Sequence, residues 1–152
     1  MGLTNMTGDD SFIINDRPIH PDFAGGDTVT IDFPNDLVSI ETGKNKNTIY
    51  AKNETGSNFT CVFNVMRGGA VDKFLNGLRI EQDKDFVLFN LMNGAFTKRI
   101  GNGQGRAIYD NYVLLGMVFQ KNPSAKGNTS GDVEQGKIQY TLIGSVATRG
   151  IT

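Results

Sequence analysis

The chain has 152 residues, a formal charge of −1, 38% hydrophobic residues, 19 glycines, one cysteine and one histidine. That length suits one domain with a real core, and the glycine content suits a turn-rich β protein. Near-zero charge removes the electrostatic case for nucleic acid as the main partner, and a single cysteine excludes an internal disulfide.

Residues 1–10 are small and polar and are expected to form a mobile arm of the free protein. They carry no basic, apolar leader pattern, and no run approaches the roughly 20 apolar residues of a membrane span. Ser11 to Asn15 is a short strand candidate, closed by the turn composition Asn15-Asp16-Arg17-Pro18. His20 and Pro21 read as loop. Val29, Ile31 and Phe33 alternate with Thr28, Thr30 and Asp32, which predicts a strand.

The runs Leu37–Thr42 and Thr48–Lys52 flank Gly43, Lys44, Asn45, Lys46 and Asn47. Two β runs around five glycine- and asparagine-rich residues predict a hairpin with a polar tip. Phe59, Cys61, Phe63 and Val65 then alternate with polar residues, a half-buried strand that would place Cys61 in the core. After Gly68 and Gly69 the period changes. Val71, Phe74, Leu75 and Leu78 fall on one face of a helix, predicted over about residues 69–79.

Glu81 to Asp85 reads as a charged turn. Phe86–Met92 is apolar on both faces and reads as a strand, joined through Asn93-Gly94 to a hairpin partner at 95–100. The stretch 112–119 is again apolar on both faces. Residues 121–135 form a polar loop. Residues 137–146 return as a strand, with Gly144 predicting a bend or bulge. The sum is about seven or eight antiparallel strands in a barrel or two-sheet sandwich, with one short flanking helix, in a single domain over 1–152.

Catalytic signals are sparse. Neither His nor Cys recurs, so no metal-ligand cluster forms in the sequence, and Asp83 and Asp85 lack the spacing of a calcium loop. The Gly101–Gly105 run lacks the Lys-Ser/Thr and following helix of a phosphate loop. The expectation is a non-enzyme without a cofactor. Two-sided apolar strands need more cover than one helix supplies. Either the loops of a two-layer sandwich hide the outer face, or copies of the same chain bury it; in the second case Leu91, Tyr112, Leu115 and Met117 are the expected contact residues, with tip 43–47 as a further contact device.

One resemblance fits this layout. It rests on the run Gly68-Gly69-Ala70-Val71-Asp72-Lys73-Phe74-Leu75-Asn76-Gly77-Leu78, on Asn93-Gly94, on Tyr112-Val113-Leu114-Leu115-Gly116-Met117-Val118-Phe119, and on Gln139 to Val146. Over about residues 28–149 the chain resembles the tube protein of long-tailed bacteriophages, contractile ones especially. Its layout is also similar to the tube protein of type VI secretion systems. The resemblance implies a small barrel that forms hexameric rings, with Gly43, Lys44, Asn45, Lys46 and Asn47 placed to touch the next ring. Stacked rings would make a hollow tube in the virion tail, a conduit for DNA assembled in the host cytoplasm. It also implies sheath, tape-measure and baseplate or terminator proteins as partners, with no membrane anchor and no specific binding of the DNA. A phage-tail-like injection system and a monomeric β-barrel virion adaptor or decoration protein remain as alternatives.

Overall fold

The computed structural model describes residues 2–152. The chain runs through β1 (Asn5–Ile14), β2 (Arg17–Pro18), β3 (Val29–Asp32), β4 (Val38–Thr42), β5 (Thr48–Lys52), β6 (Phe59–Met66), α1 (Ala70–Lys84), β7 (Met92–Gly101), β8 (Ala107–Phe119), β9 (Ser124–Ala125), β10 (Lys137–Gly144) and β11 (Val146–Ile151). Nine strands form one antiparallel sheet in the order β2-β1-β7-β8-β10-β6-β3, with β11 beside β8 and β9 beside β10. The mainly β, antiparallel, one-helix fold is as the sequence predicts, but the sheet does not close into a barrel. It coils so that its two ends meet through side chains: Phe12 of β1 and Phe63 of β6 pack edge to face, ring centroids 5.1 Å apart.

The alternation read from the sequence is what fills this core. Phe59, Cys61, Phe63 and Val65 are all buried, together with Tyr140 and Leu142 from β10. β6 and β10 pair over eight consecutive residues, from Met66 opposite Lys137 to Phe59 opposite Gly144. Gly144 is required there. A Cβ on it would lie 2.3 Å from the Phe59 ring and 3.2 Å from the Leu115 carbonyl. The bend falls one residue on, at Ser145, where β10 passes into β11.

β8 follows that bend. It pairs with β10 through Val118 and Phe119 and with β11 through residues 110–115. Between the two lies Gly116 at φ +70°, a backbone state that L side chains rarely adopt. The bulge shifts the alternation by one residue. Leu114 faces the core before it and Met117 after it, at an odd spacing.

The helix is longer than its apolar stripe suggests, continuing through the charged run to Lys84. Arg79 pairs with Asp83 one turn on, at 2.9 Å, so these charges line the solvent side of a last turn. Val71 and Leu75 are the buried residues of the helix. Polar clamps hold it on the sheet. The Val71 amide donates to Asp22 (3.1 Å), the Tyr140 hydroxyl donates to Asp72 (2.5 Å), and the Gln82 amide both accepts from and donates to the Phe119 backbone (2.8 and 2.9 Å). Gln82→Leu would strip two part-buried backbone groups of their partners, an expected loss of about 1–3 kcal/mol. A denaturant midpoint unchanged from wild type would show that the clamp contributes nothing.

Two expected elements are corrected. Residues 86–91 are not a strand: they make a turn and loop between α1 and β7. Asn93-Gly94 is not a hairpin turn either. It sits inside β7 at a register shift, with the Asn93 side chain accepting the Gly116 amide (3.2 Å) and its backbone exchanging bonds with Asn15. The amide-rich pair serves the bulge opposite. The expected mobile arm over 1–10 is likewise ordered from Asn5, because Asn5, Met6 and Asp10 pair with Gly101, Ile100 and Lys98 of β7. Ladder hydrogen bonds are made by the backbone, so they can order a segment that has no apolar side chains to bury. Asp10 is fixed further by its ion pair with Lys98 at 3.1 Å.

Candidate assembly surface

β4 and β5 form a sheet of their own. Their register pairs Val38 with Lys52, Ile40 with Tyr50 and Thr42 with Thr48, and the Leu37 carbonyl accepts the Asn53 amide at 2.8 Å. The tip is tight: the Gly43 amide bonds the Asn47 carbonyl at 2.8 Å, and Asn45 and Lys46 both take left-handed conformations. Every residue of the hairpin is exposed. One face carries Val38, Ile40 and Tyr50, and the other carries Ile49 and Ala51 opposite Glu41 and Ser39, so apolar side chains stand exposed on both faces. Tyr50 is 70% exposed. A two-stranded hairpin is marginal by itself in water, and a contiguous exposed apolar patch is the usual mark of a contact surface.

A second uncovered patch follows the helix. Phe86, Val87, Leu88 and Leu91 project outward, Val87 with 89% of its surface exposed, while Phe89 alone turns in toward the core. The third lies on the outward face of β8 and β11, where Val113 is exposed and Leu115 stands opposite Val146.

The expected contact residues divide among these places. Gly43, Lys44, Asn45, Lys46 and Asn47 form the hairpin tip, and Leu91 ends the second patch. Leu115 is 43% exposed on the third. Tyr112 is half-buried, its ring against the core and beneath the Arg149 guanidinium, 6.0 Å from the ring centroid. Arg149 is in turn held by Asp110 at 2.8 Å. Met117 is a correction. It is fully buried, because the Gly116 bulge turns it into the core, and the folded subunit cannot present it to another chain. The sequence reading missed the apolar flanks of the hairpin, although Leu37, Val38, Ile40, Ile49 and Tyr50 were there as its signal.

Reactive groups are locked away. Cys61 is buried, and burial pushes its thiol up to about 12. Burial and the Asp72 carboxylate raise the Tyr140 hydroxyl as well. His20, expected to be a solvated loop residue, is half-buried and accepts the Phe12 amide at 3.2 Å. Among the described residues no three His, Cys, Asp or Glu side chains gather as metal ligands, and no helix is long and apolar enough to cross a membrane.

The two raised groups set an alkaline limit. Folded protein keeps protons that the unfolded chain releases, so their contribution to stability is whole below about pH 9 and falls above it. Cys61 alone accounts for up to about 1.4 kcal/mol per pH unit in that window. Urea midpoints measured from pH 8 to 11 should fall, and Cys61→Ala should flatten the fall. Equal slopes for the two proteins would refute the burial of the thiol.

No family model and no curated protein sequence matches the chain. Its fold does match solved structures along nearly its whole length. It is similar to a chain of the anti-feeding prophage cap, described as a tube terminating cap (9% identity, TM-score 0.62, 96% of this chain and 90% of that chain). It is also similar to a chain of the PVC sheath–tube complex of an extracellular contractile injection system in the extended state (7% identity, TM-score 0.61, 94% and 88%). A third likeness is to a chain of the sheath/tube terminator of the same system (12% identity, TM-score 0.55, 93% and 92%). At these identities the likeness is one of fold.

Proposed function

We propose that this chain is a structural subunit of a contractile, phage-tail-like apparatus, assembling with copies of itself into rings that stack as the inner tube. The observation that carries the reading is the β4–β5 hairpin, an ordered element with apolar residues on both faces and no cover from its own chain. The full-length fold likeness to chains of caps and sheath–tube complexes supports the same reading. In it, rings are six-membered, a sheath lies outside, and tape-measure and baseplate or terminator components meet the ends. The lumen is a conduit for DNA in a virion tail, or for protein in an injection particle. The subunit does no chemistry.

A second reading has its own support, since two of the similar structures are a tube cap and a terminator. In that reading the chain forms one closing ring and does not polymerise. Negative-stain microscopy of the purified protein tests both. Stacked rings or tubes support the tube subunit, isolated rings support the terminal ring, and particles of monomer size at high protein concentration refute both.

A further inference from the structure

Two of the three apolar patches, the hairpin and the loop after α1, leave each other exposed, and their rims differ in charge. The hairpin presents Ile40 and Tyr50 behind a tip whose only charges are Lys44 and Lys46. The loop after α1 presents Phe86, Val87 and Leu88 beside the acidic end of the helix. Three carboxylates stand there, and their availability differs. Asp83 is taken by Arg79. Asp85 accepts only the Leu88 amide, at 3.3 Å, and keeps its charge unpaired, and Glu81 has no side-chain partner among the described residues. Lys84 is the basic residue of the same last turn, so the rim is acidic by a margin rather than uniformly.

We infer that the hairpin of one copy docks on the 86–88 loop of a second copy, with Lys44 and Lys46 set against Glu81 and Asp85. This rests on the reading of the chain as a self-assembling ring component. Apolar cover supplies the affinity, and the charges fix the register along the helix end. The contact is heterologous, one patch against a different patch, so each subunit gives its hairpin to one neighbour and receives another's. Such contacts propagate into rings or filaments rather than closing a two-fold dimer. It would also cover the apolar side chains that the ribbon leaves exposed in the free subunit.

Cross-linking tests it directly, because the only native thiol, Cys61, is buried and largely protonated. Two single variants, Tyr50→Cys and Val87→Cys, are prepared separately, mixed, assembled and oxidised. Both positions are exposed, so the subunits fold. A disulfide dimer is expected from the mixture and absent from either variant alone. Dimers from Tyr50→Cys alone would mean that hairpins meet each other, which overturns the contact. Rings or tubes without the mixed cross-link would assign the hairpin to another partner, overturning the contact and leaving the proposed function in place. No assembly of wild-type protein overturns both. As a second arm, Lys44→Glu with Lys46→Glu should lower assembly at least tenfold, and adding Glu81→Lys with Asp85→Lys should restore it. Loss without rescue also overturns the pairing.

Discussion

Replacing Ile40 and Tyr50 together by serine should abolish self-assembly and leave the subunit as stable as before. Neither side chain packs on the subunit's own core, so the expected cost to folding stays within about 0.5 kcal/mol, as for other exposed positions. In the assembled state the balance reverses. Covering Ile40 alone contributes about 1.5–3 kcal/mol, and each 1.4 kcal/mol is tenfold in affinity. The same loss recurs at every contact around a ring. Shortening the tip, with residues 43–47 replaced by Asn-Gly, is the milder companion. Loop closure varies slowly with length, so the fold should again be kept while Lys44 and Lys46 are lost. Thermal melts and microscopy on one preparation decide the matter. Tubes or rings of wild-type abundance from the double serine variant would remove the hairpin from the assembly surface.

Gly144→Ala should have the opposite profile, a large loss of stability at a position with no exposed role. The new Cβ would overlap the Phe59 ring at 2.3 Å. Phe59 is buried among the core residues, so its ring has nowhere to go. Overpacking of this kind costs about 1–3 kcal/mol, and here the β10 backbone must move as well. The cause can be isolated by pairing the change with Phe59→Leu. Each substitution alone should destabilise, and the double variant should lose less than the sum, a coupling of about 0.5–3 kcal/mol for residues in contact. Strict additivity in denaturant unfolding would show that the Phe59 contact is not why glycine stands at 144.

These two positions mark what the amino-acid pattern revealed and what it hid. Strand β6, the β4–β5 hairpin and the inner face of α1 were legible because side-chain periodicity reports burial directly. Phe86–Leu91 was misread for a related reason. An apolar run does not by itself distinguish a strand buried inside the fold from a loop that leaves its apolar side chains exposed. Asn93-Gly94 favours left-handed or irregular backbone, and a bulge uses that preference as well as a turn does. Its role depended on Gly116 and Asn15, neither of which is near it in sequence. The same bulge explains Met117, whose side of the sheet cannot be counted from Tyr112 without knowing where the alternation slips. The ordering of Asn5–Asp10 was hidden because an edge strand bonded through its backbone need not advertise itself in its side chains.

The pairing of β1 with β7 has a consequence for how the subunit is made. β1 leaves the ribosome before any residue of its partner exists, and the hairpin, β6 and α1 are all synthesised in between. The β4–β5 ribbon closes on near neighbours and forms early. The sheet that carries β1 waits on the long-range closure that makes β topologies slow. Until then β1 has an open edge in a crowded cell, beside apolar segments that also await partners. A nascent subunit is therefore most prone to mispairing in this interval, and slower elongation through residues 53–91 would prolong it. How much of the chain reaches the native sheet depends on how briefly that edge stays bare.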